Sequence, residues 1–247
     1  MNVYWLEQTQ ANLPSKDDWL GPSEALRLKA MHFPKRRADW LLGRWTAKCA
    51  VAACLGLSER MEELSRVEVR AAVSGEPEAY LEGLPLPLSI SISHRAETAL
   101  CMVGPAGAKL GCDLELVEER SEAFAEDYFT DDEQALLARS SPSHRDMLLS
   151  LLWSAKESVM KALHQGLRLP PRSIRITIAP IADCAESVEW SPLHARYGSD
   201  PALCGYWRKS GNLLRTVVAA APSLFVFPIT ADVRAGNQTI RKEFSAA

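Results

Sequence analysis

The sequence predicts an α+β chain made of two similar α/β halves, and three observations lead there. Helical periodicity gives way to strand-like runs twice along the chain, and the turn Gly104-Pro105-Ala106-Gly107 separates the two series. The 247 residues, 47% of them hydrophobic, are enough for one large core or two smaller, closely joined ones. The expected divisions are residues 1–105, residues 106–229 and a polar tail, 230–247.

In the first half, Pro34 opens a helical stretch that runs to about Leu57 and is stopped near Gly56. Strand patterns follow at Val67 to Val69, Leu88 to Ser93 and Ala99 to Val103. In the second half, Lys109 to Val117 alternates as a strand, and Thr130 with Glu133 forms a capping box for a helix to about Ala138. The strongest helical pattern runs from about His144 to His164, ended by Gly166 and the prolines at 170 and 171. Strands are expected at Ile174 to Ile178, Leu203 to Trp207 and Leu214 to Ala220. No low-complexity tract and no short repeat is read in the chain.

Composition narrows the function. A net charge of −3 lacks the basic field of a protein that binds nucleic acid nonspecifically, so any anion site must be local. Cys49, Cys54, Cys101, Cys112, Cys184 and Cys204 form no C-x-x-C pair and stand at no zinc spacing to histidine, which reads as reduced core cysteine. The first residues turn polar too soon for a signal peptide, and no run approaches the ~20 apolar residues of a membrane span. A cytoplasmic protein without membrane contact is expected.

Chemistry concentrates in two segments. In Leu110-Gly111-Cys112-Asp113-Leu114-Glu115-Leu116 the two-residue period puts Asp113 and Glu115 on one strand face, about 7 Å apart, within reach of one hard cation. Oxygen-only ligands favour magnesium over zinc. A sheet with one solvated face produces the same pattern. In Trp153-Ser154-Ala155-Lys156-Glu157-Ser158-Val159-Met160-Lys161, four-residue spacing puts Trp153, Glu157 and Lys161 on one helical stripe. An ordinary i,i+4 ion pair beside a core tryptophan also fits. If Glu157 faces the acidic strand, it becomes a third ligand to the cation, and Lys156 and Lys161 supply positive charge for phosphate oxygens.

W-x-x-K-E-x-x-x-K after an upstream D-x-E closely resembles the 4'-phosphopantetheinyl transferases, specifically the monomeric, surfactin-synthetase-activating type. The resemblance continues in order through Leu41-Leu42-Gly43-Arg44, Gly75-Glu76-Pro77, Ser91-Ile92-Ser93-His94 and Leu167-Arg168-Leu169-Pro170, spanning roughly residues 35 to 220. It implies two α/β subdomains around a pseudo-twofold axis, with coenzyme A in the cleft between them. It also implies that the N-terminal subdomain holds the nucleotide and the C-terminal one the metal and the catalytic residues. The implied reaction moves 4'-phosphopantetheine from coenzyme A to a serine of an apo acyl or peptidyl carrier protein, releasing 3',5'-ADP.

Under that resemblance Asp113, Glu115 and Glu157 hold Mg2+, with Mn2+ as a possible substitute. Lys161 stabilises the charge developing on the transferred group, and Glu157 is the leading acceptor of the serine proton. Arg37, Arg44 and Lys48, separated by seven and four residues, share one sector of the helix after Pro34, and the resemblance makes this stripe a clamp for the 3'-phosphate. Lys35 and Arg36 are placed to help. Ser93 and His94, delivered by an alternating strand, bind the nucleotide's phosphates by the same resemblance, as does Lys156. Glu76 departs from the G-K-P pattern of many relatives, which removes or reverses one phosphate contact. The stretch from about Glu118 to Thr130 is the implied carrier-docking surface, acting through Phe124 and Phe129. Two rivals remain: a metal-dependent phosphohydrolase with the same three carboxylates, and a non-catalytic module that binds coenzyme A or docks carriers.

Overall fold

The computed structural model describes residues 1–178, 189–198 and 202–230. The expected tail beyond Thr230 and Cys184 lie outside the described residues. The chain divides into two compact units, Met1–Ala108 joined by the strand that begins at Phe225, and Lys109–Leu224. The sequence reading places the boundary a few residues earlier and assigns Phe225 to the second half.

The first unit runs β1 (Asn2–Thr9), α1 (Pro22–Lys29), α2 (Pro34–Leu55), α3 (Met61–Arg66), β2 (Val67–Ala71), β3 (Pro77–Leu81), β4 (Leu84–Pro85), β5 (Leu88–Arg95) and β6 (Thr98–Pro105). The second runs β7 (Leu110–Leu116), α4 (Glu122–Tyr128), α5 (Asp131–Arg139), α6 (Pro142–Ala162), β8 (Ile174–Ile178), β9 (Ser191–Tyr197), β10 (Leu203–Ser210) and β11 (Leu213–Ala219). The last described strand, β12 (Phe225–Pro228), pairs parallel with β1 and so completes the first unit's sheet in the order β12-β1-β6-β5. A smaller sheet, β2-β3-β4, belongs to the same unit, and the second unit has one sheet, β7-β11-β10-β9-β8.

Local chemistry explains the main boundaries. Pro34 occupies the first turn of α2, where its missing N–H costs nothing, and Gly56 ends the helix at φ 67°, ψ 29°, a left-handed conformation that suits glycine. In α5 the Thr130 side chain accepts from the Glu133 N–H while Glu133 reaches back to the Thr130 N–H, the capping box read from the sequence. Pro142 starts α6 two residues before the expected position. The sequence reading omits β1, α1, α3, β3, β4, α4, β9 and β12, most of them short elements whose apolar pattern is broken by polar residues.

Each unit buries one long helix against its sheet, α2 on β1, β5 and β6, and α6 on β7 and β11. The two are built on one local plan. Trp45-Thr46-Ala47-Lys48-Cys49 in α2 recurs as Trp153-Ser154-Ala155-Lys156-Glu157 in α6. Lys48 is fully buried and donates to Glu24 at 2.5 Å, while Glu24 also accepts from the Gly21 and Val69 N–H groups. Lys156 is equally buried and pairs with Glu133 at 2.8 Å, while Glu133 accepts from the Thr130 and Ile176 N–H groups. Each ammonium lies over an aromatic ring, Trp19 at 5.4 Å for Lys48 and Phe129 at 5.6 Å for Lys156. Thus a capping glutamate on a short helix, a lysine on the long helix and a strand N–H form the same buried knot twice.

The recurrence agrees with the two similar halves read from the sequence, but two expectations about lysines are overturned. Lys48 and Lys156 are not free to meet phosphate, because both are fully buried, Lys48 on Glu24 and Lys156 on Glu133 and the Pro171 and Ile174 carbonyls. Burial also pulls both ammonium pKa values below the ordinary lysine value, against the opposing pull of Glu24 and Glu133.

Candidate active site

Gly111, Asp113 and Glu115 do share one face of β7, but that face is buried against α6 and not solvated. Gly111 makes the approach possible: a β-carbon there would lie 1.9 Å from the Ser158 carbonyl oxygen and 2.7 Å from the Ala162 nitrogen. With backbone against backbone, the next acid along the strand meets the polar stripe of the helix. Asp113 accepts from Lys161 Nζ at 2.8 Å and from Ser154 Oγ at 2.9 Å, and it lies close enough to Glu157 to disfavour its charge. Lys161 Nζ also donates to the Cys112 carbonyl at 3.0 Å. Ser154, Ser158 and Thr216 of β11 complete a buried hydroxyl network behind Asp113, with Ser154 and Ser158 each within 2.9 Å of the Thr216 hydroxyl.

Electrostatics follow from this crowding. Burial, then the Asp113 carboxylate, push the Glu157 carboxyl up to about 8, with Lys161 opposing and Glu115 adding to the rise. Burial works against the Lys161 charge, but Asp113 and Glu157 outweigh it and raise the ammonium above its ordinary value. Glu115 is turned to a different partner. It accepts from Arg120, whose Nη2 also reaches Glu118 at 3.3 Å.

Asp113, Glu115 and Glu157 offer only oxygen donors, the chemistry a hard divalent cation selects. As the side chains stand, no three His, Cys, Asp or Glu residues among the described residues are arranged to hold a metal ion. Asp113 and Glu157 nevertheless converge closely enough that, after burial, the Asp113 charge is the main cause of the raised Glu157 carboxyl. The donor set fits a divalent cation once Glu115 exchanges Arg120 for it. In the first unit Cys49 stands at the helix position Glu157 holds in the second, so the first copy of the plan lacks this acid.

The nucleotide residues read from the sequence separate in the first unit. A cavity of about 600 Å³ is lined by Arg27, Lys35, Arg36, Arg44, His94 and the Trp40 ring, with Gly75 and Pro77 at the turn that carries Glu76. Arg44 lies 5.2 Å from the Trp40 ring centroid, and its buried Nε has no hydrogen-bond partner. His94 lines the cavity beside Gly43, its Cδ2 standing 3.9 Å from where a β-carbon would be. Ser93 is buried on β5. Arg37 is outside the cavity lining, its guanidinium held by Asp17 at 3.3 Å and the Leu28 carbonyl at 3.2 Å. The stripe of Arg37, Arg44 and Lys48 is therefore split three ways, because α2 runs from solvent into the core and depth changes along its axis.

In the second unit Trp153 packs between Phe124 and Tyr128, with ring centroids 5.1 Å and 5.0 Å away. Phe124 is half-buried in this cluster and Phe129 is fully buried, so Phe129 cannot form part of a docking surface. Sequence reasoning missed Ser154, Ser158, Thr216, Arg120 and Arg27. The two serines had a signal, since they continue a run of serines, Ser150, Ser154 and Ser158, at four-residue spacing along one face of the helix. Thr216 did not, because only the β7–β11 register sets it opposite Asp113.

The profile of the 4'-phosphopantetheinyl transferase superfamily matches residues 109–207, the segment that carries Asp113, Glu157 and Lys161. Enterobactin synthase component D of Salmonella typhi is 31% identical over 205 residues, covering 82% of this chain and 78% of that protein. Its counterpart in Salmonella austin is 27% identical over 206 residues with the same coverage, 82% and 78%. The crystal structure of Thermotoga maritima holo-acyl-carrier-protein synthase aligns with 44% of this chain and 61% of its own, at 21% identity and a TM-score of 0.33. No helix among the described residues is long and apolar enough to cross a membrane. With identity at this level spread over most of a relative's length, the chain belongs to the 4'-phosphopantetheinyl transferase superfamily, enzymes that use coenzyme A to modify carrier proteins.

Proposed function

We propose that the second unit carries the reaction centre of the transfer and that the basic cavity of the first unit binds phosphate of the coenzyme A nucleotide. The observation that carries this reading is the convergence of Asp113, Glu157 and Lys161 where β7 meets α6. Asp113, Glu115 and Glu157 are the residues that hold the divalent cation, Mg2+ by preference. When bound, that cation neutralises pyrophosphate charge and lowers the barrier to displacement at phosphorus.

The carrier serine Oγ attacks the β-phosphorus of coenzyme A. The new O–P bond forms as the bond to 3',5'-ADP breaks, and the nucleotide leaves with the electron pair. Lys161, whose raised pKa keeps it charged, stabilises negative charge on the transferred phosphoryl oxygens. Glu157, once the proton that its raised pKa favours is displaced by a bound cation, would take the serine proton, and Ser154 holds Asp113 in place. In the first unit Arg44, Arg36, Lys35 and His94 take the nucleotide's phosphates, with Arg27 as an added contact and guanidinium forks as the strongest donors. The acceptor is an acyl or peptidyl carrier protein, and the working enzyme is a monomer.

Intact mass of purified apo carrier proteins, incubated with this chain, coenzyme A and Mg2+, tests the proposal. A gain of one phosphopantetheine, absent in Asp113→Asn, is the expected result. Release of phosphate or phosphopantetheine with no gain on any carrier would place the chemistry with phosphoester hydrolysis instead.

A further inference from the structure

Asp113 is held by Lys161 and Ser154, while the other acid of the strand is drawn off by a cation of the protein's own. Glu115 accepts from Arg120 Nη2, and the same nitrogen reaches Glu118 Oε1 at 3.3 Å. Both members of the Arg120–Glu115 pair are shielded, with 17% and 10% of their side chains exposed, so salt screens their attraction less than it would a surface pair. The Arg120 guanidinium carbon lies 4.7 Å from the Phe124 ring centroid, and Phe124 in turn stands 5.1 Å from Trp153, one helical turn before Glu157. Arg120 Nε is buried without a hydrogen-bond partner. The guanidinium is therefore held by charge and by the ring beneath it, with its hydrogen-bonding capacity only partly used.

The geometry points to Arg120 as a positioning residue that competes with the divalent cation for Glu115, so that cation uptake requires the Arg120–Glu115 pair to open and Phe124 sets how firmly that pair is held. The inference rests on the proposed cation role of Asp113, Glu115 and Glu157. It predicts that, without coenzyme A, the protein binds a divalent cation more weakly than its three carboxylates allow. A unit positive charge beside a carboxylate ligand opposes a second positive charge there, and removing it relieves that opposition.

Mn2+ binding to the full chain without coenzyme A, followed by calorimetry and by loss of the free-Mn2+ paramagnetic signal, tests this on wild type, R120Q, R120K, F124L and D113N. R120Q is expected to bind Mn2+ about ten-fold more tightly than wild type, the shift that removing one nearby charge from a partly shielded site produces. R120K, which keeps the charge, should stay near wild type, and F124L should fall between wild type and R120Q. A purely structural role for Arg120 would lower thermal stability in R120Q without tightening Mn2+. Binding that D113N abolishes but R120Q leaves unchanged or weakens overturns the role of Arg120 alone. Binding that D113N leaves intact, or no binding by any variant, overturns the cation reading and this inference with it.

Discussion

Gly111→Ala tests the close approach of β7 and α6 on which the reaction centre depends. The added methyl would sit 1.9 Å from the Ser158 carbonyl oxygen and 2.7 Å from the Ala162 nitrogen, both backbone atoms with no rotamer to escape by. Ordinary contact begins at 3.4 Å, so strand and helix must part by about 1.5 Å at that point. Two residues along the strand, the Asp113 bonds to Lys161 at 2.8 Å and Ser154 at 2.9 Å are too short to span such a gap. Overpacking of this kind costs about 1–3 kcal/mol, and leaving buried Asp113 short of donors adds about as much again. A displacement of about 1 Å in a catalytic constellation lowers turnover by roughly 100-fold. The variant is therefore expected to lower the urea midpoint of unfolding and to slow phosphopantetheine transfer by about 100-fold, measured as holo-carrier formed per minute by intact mass. Wild-type turnover with a wild-type urea midpoint would refute the backbone contact and the site geometry derived from it.

Lys156→Met should destabilise the protein by about 3–5 kcal/mol, because it leaves Glu133 as an uncompensated buried charge, and denaturant titration measures this. The KM of the folded variant for coenzyme A should not change, whereas a phosphate-binding lysine would raise it. Arg44→Ala should raise the KM for coenzyme A by about ten-fold or more by removing a charge-assisted phosphate contact, while Arg37→Ala, tied to Asp17 outside the cavity, should leave it within about two-fold. Exhaustive chelation should stop transfer and added Mg2+ should restore it, as read by carrier mass. Transfer that continues in chelator would remove the cation from the reaction.

Which parts of the site were legible follows from how far each periodicity reaches. Asp113 and Glu115 are two residues apart on a strand, and Glu157 and Lys161 four apart on a helix, so each pair shares a face by local geometry alone. Lys156 is five residues from Lys161, about 140° around the helix, and that angle already sets it on another face. The motif grouped the two lysines, but the helix separates them. Arg44 and Lys48 share a stripe by angle, yet one lines a cavity and the other lies in the core, because angle carries no information about depth along the axis. Glu24 and Glu133 look like ordinary first-turn capping acids. Only the fold shows that each cap also neutralises a buried lysine more than twenty residues away in sequence.

By itself, the sequence determined the two-part α+β organisation, the long helices from Pro34 to Gly56 and from about His144 to His164, the capping box of Thr130 and Glu133, and the place of Asp113, Glu157 and Lys161 in one sequence motif. These depend on turn chemistry, on side-chain period and on residue type at fixed spacing, all of which act over a few residues. Tertiary structure alone decided that Gly111 lets β7 touch α6, that Thr216 and the serines brace Asp113, that Arg120 claims Glu115 and that Lys48 and Lys156 belong to the core. Those outcomes depend on which surfaces meet, and strand pairing and helix packing bring together atoms whose separation along the chain holds no periodic signal.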